Sequence, residues 1–176
     1  METILADDTS SPVIVWFRRD LRLADNAALS AAVETGRPVI ALFIREAASA
    51  SSMPQGAAQA WWLHHSLTAL KERLQQAGGD LLLLSGPADD VLTQVAAEAG
   101  AETVYFNRCY ERDERDRDIA RALKQAGVAV QAFHGQLLSE PSAVRTGAGK
   151  PFRVFAPFWR ARQALGEPRE PIAAPE

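Results

Sequence analysis

The sequence predicts an α/β domain: a Rossmann-like, doubly wound sheet of five parallel strands with helices on both faces. Three observations carry that expectation. Five short runs, Val13–Phe17, Val39–Ile44, Leu81–Leu84, Thr103–Phe106 and Val128–Ala132, are rich in β-branched and aliphatic residues. Their apolar character is nearly continuous rather than alternating, the mark of strands covered on both faces. Helical patterns separate the runs, and a β-α-β alternation calls for parallel strands joined by right-handed crossovers.

The elements follow in order. Asp25 can cap a first helix that runs through Leu29 and Val33 to Gly36. A longer helix spans about Ala57–Ala77, where Leu63, Leu67, Leu70 and Leu74 fall at helical spacing. Gly78 and Gly79 end it, as glycine commonly ends helices. Ala88–Ala99 is stopped by Gly100, and Asp113–Ala126 by Gly127. Residues 12–135 thus make the α/β domain, and the acidic residues 1–11 a flexible tail. Residues 136–165 form a connecting segment without a clear element until about Phe155–Leu165, where a short helix is expected to pack on the domain. Residues 166–176 carry Pro168, Pro171 and Pro175 and read as a stiff linker with no core to join, leading to a further domain.

Composition narrows the function classes. The chain has 176 residues, 47% of them apolar, and a formal charge of −3. Near-neutrality argues against a dedicated DNA-wrapping domain. The local basic stretch Arg145, Lys150, Arg153, Arg160 and Arg162 reads as an interdomain or solvated surface. The single cysteine, Cys109, excludes an internal disulfide framework and fits a reducing compartment. No signal peptide and no membrane-spanning run is visible, so a cytoplasmic location without a membrane partner is expected.

Several chemistries lack their parts. The first strand leads into Arg18-Arg19-Asp20-Leu21-Arg22, without the Gly-x-Gly-x-x-Gly of a dinucleotide site. The segment Thr146–Pro151 has only part of a P-loop, since Val144 stands at the first glycine and Pro151 replaces the hydroxyl residue that holds magnesium. There is no Gly-x-Ser-x-Gly elbow. His64, His65 and His134 do not form a metal set with Cys109 by spacing. His64 and His65 are adjacent on a helix and point in different directions, so both read as packing or surface residues.

One constellation is positive. From Trp16 to Leu29 a buried strand delivers three arginines and two carboxylates into one loop at its carboxyl end. Ligands of open α/β sheets gather at such ends. Asp20 can pair with a neighbouring guanidinium, and Asp25 or Asn26 can cap the next helix. Arg18, Asp20, Asp25 and Asn26 are therefore expected to hold this loop and brace a neighbouring domain.

This segment resembles the opening signature of the DNA photolyase/cryptochrome family. Three others resemble it too: Trp61–Leu67, Val104–Glu111 with Arg115–Asp118, and Gly149–Trp159. The four occur in order across about Pro12–Pro175. The resemblance implies the N-terminal antenna domain of a deoxyribodipyrimidine photolyase, with a cryptochrome photoreceptor or a pigment-free docking module as alternatives. It implies FAD only in a C-terminal helical domain, which would be the partner of this one and would meet damaged DNA. This chain would then have no catalytic residue and no repair activity alone.

The resemblance also implies an antenna pigment. Methenyltetrahydrofolate is held in the family by an Asn-Glu pair at positions matching Asp113 and Glu114. Glu114 agrees, whereas a carboxylate at Asp113 cannot donate as an amide does. A deazaflavin is disfavoured, because Gln59 and Cys109 stand where an arginine and an aspartate would help to form its site. Apart from the resemblance, Glu111 with Arg115 and Asp113 with Arg117 fall at helix spacing for exposed ion pairs.

Overall fold

The computed structural model describes residues 11–46, 56–110 and 113–175, with the side chains of 113 and 114 outside the described set. The tail 1–10, and with it most of the expected flexible segment, lies outside as well. Five strands, β1 (Val13–Phe17), β2 (Val39–Arg45), β3 (Leu81–Ser85), β4 (Thr103–Asn107) and β5 (Ala129–Phe133), form one sheet in the order β3-β2-β1-β4-β5. Every pairing is parallel. The helices are α1 (Ala27–Glu34), α2 (Ala57–Gln76), α3 (Ala88–Ala99), α4 (Asp113–Gln125) and α5 (Phe155–Gln163).

Side chains of β1 alternate between two cores because successive Cβ atoms point to opposite faces. Ile14 and Trp16 join Leu42, Val104 and Phe106 beneath α3 and α4. Val13, Val15 and Phe17 join Ala41, Phe43 and Leu81 beneath α1 and α2. All five β1 residues are buried, as a central strand flanked by helices requires. The edge strands depart from the expected double burial. In β3, Leu82 and Leu83 are exposed, and β5 is only partly covered. Each has a neighbour on one side alone, and α2 buries only Leu70 and Leu74 of its twenty residues.

Two local expectations are corrected. Asn26, not Asp25, caps α1: its Oδ1 accepts from the Leu29 N–H at 3.1 Å. Asp25 takes a left-handed φ of 51° instead, which turns its side chain to other partners. The Pro-rich end, expected to find no core, lies against the domain: the Asp25 N–H donates to the Ile172 carbonyl at 2.7 Å, and Pro175 lines an apolar cavity with Leu29 and Leu74. The short helix α5 forms where expected, but Arg162 is its only buried residue.

Candidate functional site

The strand order places a topological switch between β1 and β4, where the chain leaves the sheet in opposite directions. A crevice opens there in α/β proteins and receives ligands. In this chain side chains fill it. Asn107, the last residue of β4, is 2% exposed. Its amide nitrogen lies 2.6 Å from Asp20 Oδ2 and 2.8 Å from Asn26 Oδ1. Its oxygen accepts the Ala28 N–H at 3.2 Å. Asn26 in turn donates to the Arg22 carbonyl at 3.0 Å. Asp20 accepts the Arg18 N–H at 2.9 Å, so its partners are an amide and a backbone N–H rather than the expected guanidinium.

That network occupies the place where a phosphate cradle would form. A helix N-terminus attracts anions through its free N–H groups. Two of those groups in α1, at Ala28 and Leu29, are already bound to the Asn107 and Asn26 oxygens. Gly135 lies so close that a Cβ there would stand 3.4 Å from Asn107 Oδ1. Arg22 closes the network by donating to the Gly135 carbonyl at 3.0 Å, tying the loop after β1 to the exit from β5.

Arg18 sits beside this plug. Its guanidinium carbon is 4.6 Å from the Trp16 ring centre and 4.7 Å from that of Phe106. Both lie within cation–π range. Its Nη1 and Nη2 reach the two oxygens of Asp116 at 2.5 and 3.1 Å, and Nη2 also donates to the Asn107 carbonyl. The planar fork of arginine matches a carboxylate in this way.

Next to Arg18 a cleft of about 180 Å³ opens at the carboxyl edge, lined by Trp16, Phe43, Glu46, Cys109, Arg115 and Asp116 among others. The Trp16 Nε1–H and the Arg18 Nε–H are buried without a partner among the described residues. Burying an amide-like donor unpaired is costly, so such groups call for an explanation. Arg115, expected to face Glu111, pairs with Glu46 just after β2, and Glu111 lies outside the described residues.

Asp113 and Glu114 open α4, immediately before the cleft residues Arg115 and Asp116. Their side chains, and with them the expected Asp113–Arg117 pair, lie outside the described set. Gln59 is exposed on α2, and Cys109 is buried against the cleft. His64 and His65 are exposed, with the His65 ring 4.4 Å from that of Trp61. Among the described residues no three His, Cys, Asp or Glu side chains converge as a metal set. Of the basic stretch, Arg145, Lys150, Arg153 and Arg160 are exposed, while Arg162 is buried and donates to the Gly166 carbonyl at 2.9 Å.

Comparison with known proteins decides the family. The DNA photolyase family model matches residues 13–176. The chain belongs to the DNA photolyase family. It is 50% identical over 169 residues to the deoxyribodipyrimidine photo-lyase of Agrobacterium fabrum, covering 95% of this chain and 35% of that protein. Arabidopsis thaliana cryptochrome-1 is 39% identical over 171 residues, covering 93% of this chain and 24% of that one. The crystal structure of a bacterial class III photolyase from Agrobacterium tumefaciens superposes with a TM-score of 0.89 at 48% identity. It covers 99% of this chain and 36% of that one. The chain thus spans about a third of the length of the photolyases it matches, and its fold is that of a photolyase N-terminal domain. Among the described residues no helix is long and apolar enough to cross a membrane.

Sequence reasoning named Arg18, Asp20, Asp25 and Asn26 but missed Asn107, Asp116 and Trp16 as members of this site. A signal existed for Asn107, a polar residue ending an otherwise apolar strand run. None existed for the contact of Arg18 with Asp116, which joins residues 98 apart.

Proposed function

We propose that this is the light-harvesting, or antenna, domain of a deoxyribodipyrimidine photolyase, and that the cleft beside Arg18 receives the pigment. One observation carries the reading: a cleft at the carboxyl edge, between the strand ends and α4, is walled by the aromatic rings of Trp16 and Phe43 and bordered by Arg18 and Arg115. A flat heterocycle suits such a cleft, since Trp16 and Phe43 give it an apolar wall and Arg115 a cationic border. At about 180 Å³ the cleft is smaller than the ~300–1,000 Å³ of enclosed small-molecule sites. It therefore suits a ring and leaves the rest of the pigment outside, and Asp113 and Glu114, the first residues of α4, are proposed as further contacts to it.

The pigment we favour is methenyltetrahydrofolate, whose bound form supplies near-ultraviolet absorption for transfer to a flavin. The protein groups have separate roles. Trp16 and Phe43 wall the ring, Asp116 holds Arg18 in place beside it, and the Arg115–Glu46 pair borders the mouth. A Sulfolobus tokodaii photolyase, 26% identical with a TM-score of 0.78, has two FAD molecules in its structure, with the implication of a novel light-harvesting cofactor. That protein supports the reading of a second pigment here, beside the flavin of the proposed partner domain.

In this reading FAD, dimer recognition and electron donation belong to a helical partner domain, and the 176-residue chain has no repair activity by itself. The photolyase assignment is favoured over cryptochrome by 50% against 39% identity. Titration with methenyltetrahydrofolate tests the proposal. Near-ultraviolet absorbance should survive desalting, and Arg115→Glu at the mouth should weaken retention. A protein that emerges colourless at saturating pigment would overturn it.

A further inference from the structure

Residues 166–175 are attached to the domain at two points. At the first, Asp25 and Ile172 exchange two hydrogen bonds. The Asp25 N–H donates to the Ile172 carbonyl at 2.7 Å, and the Ile172 N–H donates to Asp25 Oδ1 at 3.3 Å. Arg169 pairs with the same carboxylate at 2.7 Å, and Arg22 stands 3.8 Å from its other oxygen. At the second, Pro175 lines an apolar cavity of about 120 Å³ with Leu23, Leu29 and Val33 on one side and Leu74 on the other. Pro168, Pro171 and Pro175 stiffen the stretch, so two anchors can seat all of it.

Asp25 is suited to the first anchor by its backbone. It is the only non-glycine described residue with positive φ, a conformation that Asp tolerates better than most residues do. That turn withdraws it from capping α1 and aims its carboxylate at the strap. Arg169 and Asp25 remain partly exposed, with side-chain accessibilities of 51% and 32%. An exposed lock is weak and is screened by salt.

We propose that residues 166–175 form a charge-locked strap, seated by Asp25 and Arg169, whose release uncovers the apolar groove between α1 and α2. The strap is a separate opening unit, distinct from the sheet core. Opening it breaks few bonds, whereas opening β1 breaks the core. The inference does not depend on pigment binding.

Hydrogen exchange on the purified chain tests it. The Asp25 and Ile172 amides should be protected in the wild type. Arg169→Gln and Asp25→Asn should each speed exchange at Ile172 about tenfold while leaving Val15 unchanged. Salt near 0.5 M should speed it in the wild type but not in Arg169→Gln. Arg169 is exposed, so its replacement leaves the fold intact. Exchange at Ile172 that is unprotected in the wild type, or that neither variant changes, would overturn the proposal.

Discussion

Asn107 holds the switch point together with a single carboxamide. It serves Asp20, Asn26 and the first turn of α1 at once. Asn107→Ala would remove a donor from the buried Asp20 carboxylate and free the Ala28 N–H. We expect a loss of about 2–4 kcal/mol, read as a lower urea midpoint. A loss under about 1 kcal/mol would mean that the plug is not cohesive. Tyr110 offers a second test. Its hydroxyl donates to Glu140, which also lies 2.8 Å from His134 Nδ1. Burial first, then the hydrogen bond and charge of Glu140, push its phenol up to about 12. Stability from this raised group is complete below its ordinary pKa and is lost as pH rises through the folded value. Ultraviolet titration should show a late-ionising tyrosine that ionises earlier in Glu140→Gln. Asp25 behaves oppositely. The Arg169 hydrogen bond holds its carboxyl below the usual value; slight burial opposes this, and the Ile172 N–H and the charges of Arg169 and Arg22 reinforce it. The strap's hold should be full above the ordinary carboxylate pKa and fade as pH falls through the depressed one. The Ile172 amide resonance, followed from neutral into acid, would report the change. Arg18, Asp20, Asp25 and Asn26 were legible because they cluster in one loop. Their partners were not, since Asn107 lies 87 residues from Asp20 and local patterns do not reveal which distant side chains meet.

At the scale of elements, strands and helix ends were readable from sequence for physical reasons. A buried parallel strand has no solvent face to alternate with, so its residues form a continuous apolar run. Helix ends were marked by glycine, as where Gly100 takes φ 65° and closes α3. The order β3-β2-β1-β4-β5 was not readable, and exposure depends on that order. Leu82 and Leu83 look as apolar as β1 in sequence, yet they stand on an edge strand and are 40% and 48% exposed. Trp61 and Trp62 of α2 are exposed too. Apolar surface of this kind promotes association, and edge strands are a common route. We expect a concentration-dependent sedimentation coefficient that Leu83→Lys with Trp62→Lys suppresses at little cost to stability. A strictly monomeric wild type would contradict this.

At the scale of the whole molecule, the fold separates a filled crevice from an open cleft beside it. Asp20, Asn26 and Asn107 occupy the place where other α/β domains cradle phosphate, and the open space lies against Trp16, Phe43 and Arg115 instead. This division accounts for an α/β sheet of nucleotide-binding shape without a nucleotide motif, and it underlies the proposed flat pigment. The indole N–H signals of the tryptophans test it most directly. With Trp16→Phe used for assignment, methenyltetrahydrofolate should shift the Trp16 signal and leave Trp61, Trp62 and Trp159 in place, while ATP should shift none of them. A stationary Trp16 signal at saturating pigment, or a shift produced by ATP, would contradict it.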